Sequence, residues 1–109
     1  MKINKLSSYL GFAARSGNLI GGTETCHRGM EKGRIRLLII TGDMAENTTK
    51  KLVQKCTQTD TNYRIFGHSD DLGPAAGKRG CGVLGITDQH FAEIIEQEID
   101  QDRSEREVF

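Results

Sequence analysis

A chain of 109 residues has the size of one domain, long enough to bury a core and with little spare surface for a second function. Its 36% hydrophobic content and mean hydropathy of −0.49 describe a polar globule, and the longest aliphatic run, Leu37-Leu38-Ile39-Ile40, is far too short to span a bilayer. The 15 basic and 15 acidic residues cancel, but residues 1–92 carry a surplus of five positive charges and residues 93–109 an excess of five negative ones, so a mildly basic body ends in an acidic tail.

No charged-then-apolar leader opens the chain, and the expectation is a cytoplasmic protein with no membrane part. Cys26, Cys56 and Cys81 are odd in number and lack a C-x-x-C pair, which argues against a disulfide framework and a zinc site. His27, His68 and His90 are scattered with no metal-ligand spacing. Neither metal nor cofactor is expected.

Ile3, Leu6, Leu10 and Ala13 recur at helical spacing and Gly17 follows, which predicts a first helix over about residues 3–16. Leu19-Ile20 is a short strand candidate leading into the turn Gly21-Gly22. These glycines let the backbone approach something closely, and Thr23 is the expected N-cap of a second helix that Gly33 stops. On that helix Glu24, Arg28 and Lys32 share one stripe with Thr25 beside it, while Cys26 and Met30 lie opposite. A donor-rich helix start followed by basic residues one and two turns further in suits a phosphodiester backbone and base edges.

The run within Arg34 to Thr41 suits a buried central strand. Asp43 and Glu46 stand at capping-box separation ahead of a helix expected to end at Cys56 or Thr57, and Tyr63-Arg64-Ile65-Phe66 reads as a third strand. Ser69 is the expected cap of a short helix from Asp70 to Ala76, and Gly82 to Ile86 is the fourth strand. Asp88 then caps a last helix carrying Phe91, Ile94, Ile95 and Ile99, and beyond Asp100 the pattern dissolves into charge and is expected to fray. The expected organisation is therefore one domain over residues 1–99 and an acidic tail over 100–109. Alternating strands and helices predict an α/β fold, a three-layer α/β/α sandwich around a small, mostly four-stranded mixed sheet.

Three tempting motifs fail on context. Gly80-Cys81-Gly82-Val83-Leu84-Gly85 spells G-x-G-x-x-G but runs into a strand, where a dinucleotide fingerprint opens a helix. Gly73 to Lys78 is one residue short of a P-loop, and Arg79 stands where Ser or Thr would hold magnesium. Asp70 and Asp71 beside His68 are accounted for by helix capping, so no catalytic constellation survives.

Four segments in order carry a family likeness: Gly11-Phe12-Ala13-Ala14-Arg15-Ser16-Gly17, Gly22 with its helix, Asp43-Met44-Ala45-Glu46-Asn47-Thr48, and Leu72-Gly73-Pro74-Ala75-Ala76-Gly77-Lys78. Over residues 3–99 the chain resembles the ribosomal protein seven-Ae/thirty-e superfamily, and within it the bacterial YlxQ-like branch. The resemblance implies a non-enzymatic module that binds kink-turn RNA in ribosomal and other translation ribonucleoproteins, with rRNA and the ribosome as possible partners. The implied contacts are the start of the second helix, Gly22, Thr23, Glu24, Thr25, Arg28 and Lys32, and a loop before the last strand, Arg79, Gly80 and Cys81. Archaeal and eukaryotic members carry Asn then Glu where this chain has Glu24 and Thr25, which implies an altered base contact. The alternative is a protein-interaction module that kept the fold and lost RNA affinity, a reading that Glu24 and the acidic tail favour.

Overall fold

The computed structural model of the chain describes residues 4–107. Nine elements follow in order: α1 (Asn4–Arg15), β1 (Leu19–Gly21), α2 (Thr23–Glu31), β2 (Leu37–Ile40), α3 (Glu46–Thr59), β3 (Tyr63–Ile65), α4 (Ser69–Ala75), β4 (Val83–Ile86) and α5 (Gln89–Glu107). Ile3, the expected start of the first helix, and Val108 and Phe109 of the tail lie outside the described residues.

Strand β2 decides the layering. Neighbouring side chains on a strand point to opposite faces, and all four of its residues are buried. Leu37 and Ile39 enter a core shared with Leu10 of α1, Leu72 of α4 and Ile95 of α5. Leu38 and Ile40 enter a second core with Cys26 and Met30 of α2 and Leu52 and Cys56 of α3. The sheet runs β1-β4-β2-β3, with β2 parallel to β3 and the other pairs antiparallel. The fold is the three-layer α/β/α sandwich on a four-stranded mixed sheet.

Several element ends differ from the sequence expectation, for one tertiary reason and two local ones. Asp43 and Ser69, both expected as helix caps, bond to each other instead: the Ser69 N–H and hydroxyl donate to the two Asp43 carboxylate oxygens. Ala45 is left as the N-cap of α3 without a side-chain bond, and His68 caps α4 by accepting from the Asp70 N–H at 3.1 Å. Helix α3 continues to Thr59, where Asp60 closes it at φ 55°. Asp88 does cap α5, its carboxylate accepting from the Phe91 N–H at 2.9 Å.

Beyond Asp100, where the sequence pattern dissolves into charge, the backbone of α5 is helical to Glu107. Arg64 of β3 holds it in place, donating to Glu96 at 2.6 Å and to Asp100 at 2.8 Å. Arg103 adds a hydrogen bond to the Ile65 carbonyl. These contacts keep the first part of the acidic tail at the β3 border.

Candidate functional site

Strand β1 turns into α2 through Gly22, whose φ of 104° and ψ of 147° fall where side chains clash with their own backbone. The Gly22 N–H donates to the Val83 carbonyl at 3.0 Å, and its own carbonyl accepts from the Cys26 N–H at 3.0 Å. Gly22 is therefore the N-cap, and Thr23, expected there, is the first helical residue: the boundary needs a dihedral that glycine alone adopts readily. No side chain caps this end. The N–H groups of Thr23, Glu24 and Thr25 precede the first intrahelical bond and have no acceptor within the helix, at the positive end of its dipole.

The two glycines serve different neighbours. A Cβ on Gly22 would meet only Thr25 Oγ1, at 3.8 Å, so the space above it is open. A Cβ on Gly21 would stand 3.2 Å from Lys78 Cγ and 3.5 Å from Cys81 Sγ. What Gly21 admits is the chain's own loop.

That loop arrives here because β1 and β4 are antiparallel, pairing Gly21 with Leu84, so the approach to β4 lies beside the exit from β1. Residues Lys78 to Cys81 form a turn closed by the Cys81 N–H donating to the Lys78 carbonyl at 3.0 Å, with Gly80 at φ 81° in its third position, the geometry of a type II turn. Gly73 lies beneath: the Lys78 N–H donates to its carbonyl at 2.7 Å, and a Cβ there would stand 2.9 Å from the Lys78 carbonyl oxygen. Thr41, fully buried, anchors the other end by donating its N–H at 2.8 Å and its hydroxyl at 3.1 Å to the Gly82 carbonyl. Arg79 and Gly80 are exposed at the tip, while half-buried Cys81 turns inward toward Gly21.

Along α2 the burial divides as its spacing demands. Cys26, Gly29 and Met30 face the core, and Thr25, Arg28 and Lys32 face out. The helix rides close on the sheet because Gly29 and Gly85 lack side chains: Cβ atoms would stand 3.0 Å from Ile20 Cδ1 and 2.8 Å from Ile35 Cδ1 respectively. Glu31 turns toward α3, within 3.2 Å of Lys55 and 3.7 Å of His27. Arg28 and Lys32 have no ion-pair partner among the described residues, and neither do Lys78 and Arg79.

The structure thus brings together Gly22, Thr23, Glu24 and Thr25 with the 78–81 turn, and sets Arg28 and Lys32 along the adjoining helix face. Lys78, which the resemblance does not assign to the contact surface, packs directly on Gly21. Arg34 and Arg36 are likewise outside the set the resemblance implies. They flank buried Ile35, and their alternation on the way into β2 was a visible signal that both point outward.

Other reactive groups are tied up in structure. Burial pushes the thiol of Cys26 up to about 12 and that of Cys56 up to about 11, so both stay protonated at neutral pH and are poor nucleophiles or ligands. The Ser69 hydroxyl, with further hydrogen bonds, holds the Asp43 carboxyl well below its ordinary range, and the nearby His68 is spent on capping α4. Among the described residues no group of three or more His, Cys, Asp or Glu is placed to hold a metal ion, and no helix is long and apolar enough to cross a membrane.

Residues 4–96 match the ribosomal protein L7Ae/L30e/S12e/Gadd45 family. The chain is 31% identical over 83 residues to the RNA-binding protein YlxQ of Bacillus subtilis, covering 76% of this chain and 83% of that one. It is 28% identical over 96 residues to the large ribosomal subunit protein eL30 of Trypanosoma brucei brucei, covering 85% and 90%. Among solved structures, a protein with unknown function from Bacillus halodurans C superposes with a TM-score of 0.84 at 33% identity, covering 88% of this chain and 97% of that one. The Giardia lamblia 15.5kD RNA binding protein shares the fold, with a TM-score of 0.73 at 18% identity over 90% and 87% of the two chains. The match over most of its length, in sequence and in fold, means that the chain belongs to the ribosomal protein L7Ae/L30e/S12e/Gadd45 family.

Proposed function

We propose that this protein is a non-catalytic, cytoplasmic binder of structured RNA that recognises a kink-turn or a similar internal loop within a ribosomal or other translation ribonucleoprotein. The observation that carries the reading is the uncapped start of α2 lying against the 78–81 turn, with exposed Arg28, Lys32, Lys78 and Arg79 around it and, among the described residues, no carboxylate paired to any of them. Backbone N–H groups and unpaired cations are what a phosphodiester backbone seeks. A protein cannot enter the narrow major groove of regular A-form RNA, so an irregular, partly unpaired element is the natural target. The RNA-binding relative YlxQ points the same way. In this reading Gly22 gives the RNA close access to the backbone, Thr23, Glu24 and Thr25 meet bases, Arg28 and Lys32 meet phosphates, and Arg79, Gly80 and Cys81 with Lys78 shield an unstacked nucleotide.

Glu24 favours a second reading, a protein-docking face on the same surface, because an exposed carboxylate in the first turn repels phosphate. One titration separates the two. Kink-turn RNA should bind more tightly than a straight duplex of equal length, and Glu24→Asn, which removes the charge and adds a donor, should strengthen the kink-turn complex by roughly 1 to 3 kcal/mol. Equal binding of both RNAs removes the kink-turn assignment, and no binding of either leaves the protein-docking reading.

A further inference from the structure

Beside the edge strand β1, α2 walls a cleft of about 520 Å³ whose lining includes Thr25, Arg28, Lys32, Arg34, Arg36 and Thr87. Four exposed cations surround it, and none has an ion-pair or side-chain hydrogen-bond partner among the described residues. Elsewhere the basic side chains that face carboxylates are paired with them: Lys50 with Glu46, Lys55 with Glu31, and Arg64 with Glu96 and Asp100. The negative end of the α2 dipole accounts for cations at Lys32 and Arg34. Arg36 lies beyond it, its N–H bonded to the Ile86 carbonyl at 2.7 Å on the way into β2.

We infer that this cleft is a track for the phosphodiester backbone of a regular RNA stem flanking the recognised loop, with Arg34 and Arg36 as phosphate contacts. The inference rests on the RNA-binding reading above and extends it to the far end of α2. Lys32 lies seven positions after Thr25, about 10 Å along the helix axis, enough for more than one phosphate. Thr25 joins the track to the uncapped helix start, and Thr87 offers a hydroxyl at the opposite end. Charge complementarity selects the occupant: four exposed cations from α2 and the approach to β2 line one open cleft, more positive charge than a single small anion neutralises. A continuous, repeating polyanion matches them.

The test measures log K against log salt for wild type, for Arg34→Gln/Arg36→Gln, and for Lys5→Gln/Lys51→Gln, which removes two exposed cations that do not line the cleft. Each is titrated with a kink-turn RNA carrying long stems, the same kink with its stems cut short, and a straight duplex. On the long-stem RNA the Arg34/Arg36 variant should show a slope shallower by about 2, one unit per lost phosphate contact. On the short-stem RNA its slope should match wild type, and the Lys5/Lys51 variant should match wild type throughout. An unchanged slope on the long-stem RNA, or an equal change in the Lys5/Lys51 variant, overturns the track. If wild type fails to prefer the kink, the kink-turn assignment falls separately, and the track stands or falls on the slope of the Arg34/Arg36 variant with the straight duplex.

Discussion

Arg64 on the edge strand β3 and Arg28 beside the edge strand β1 both border the same sheet, and the chain treats them oppositely. Arg64 is about a quarter exposed, donates to Glu96, Asp100 and its neighbour's carbonyl, and ties α5 to the sheet. Arg28 is exposed and joins Lys32, Arg34 and Arg36 around an open cleft, without a carboxylate partner among the described residues. A cation saturated by carboxylates serves the fold. A row of unsaturated cations contributes little to it, and stays available to a partner bringing negative charge of its own.

The largest expected effect tests that division directly. Arg28→Gln/Lys32→Gln should flatten the salt dependence of RNA binding by about 2 units of slope and weaken binding on the order of a hundredfold at low salt, while its thermal unfolding stays within about 0.5 kcal/mol of wild type. A comparable loss of stability would place these residues in the fold. The mirror experiment is Arg64→Gln, which leaves Glu96 and Asp100 facing each other without their shared cation. It should cost about 1 to 2 kcal/mol in urea unfolding and leave RNA affinity unchanged.

The pH dependence of that loss has a definite sign. Arg64 holds the Asp100 carboxyl below its usual range in the folded chain, chiefly through their hydrogen bond, so between the folded and unfolded values the unfolded chain binds more protons. The Arg64–Asp100 contribution is complete above about pH 4, the ordinary aspartate value, and disappears as pH falls through the lower folded value. Wild type and Arg64→Gln should therefore converge in acid unfolding below pH 4. A gap that persists there would trace the stabilisation to packing. Smaller still, Asp88→Ala removes the cap of α5 and should cost about 1 kcal/mol, again without touching RNA affinity.

The sequence made the layers and strand positions legible, because β2 and the buried stripes of α1 and α2 obey simple periodicities. It concealed what depends on distant partners. The chain from Asp100 on looks like a solvated charge run, yet α5 runs through it, with Asp100 bonded to Arg64, 36 residues earlier, and Arg103 to the Ile65 carbonyl. Asp43 and Ser69 have ordinary capping chemistry, and only the fold puts them within reach of each other. The cap at Gly22 was hidden because a backbone angle selects that residue, where the sequence offered Thr23 as a side-chain acceptor. The candidate site was readable on α2, where one helix carries the pattern. Lys78 stands in a family-like segment, but nothing in the sequence ties it to the site, because its approach to Gly21 exists only through the antiparallel pairing of β1 with β4.

The hydrogen bond from Arg103 to the Ile65 carbonyl also bears on self-assembly. A sheet with two open borders can add copies at both and grow into a filament. Here α5 lies along the β3 border and occupies that carbonyl, which leaves β1 as the border at which a second copy could add a strand. Addition at one border closes as a two-fold pair and cannot propagate.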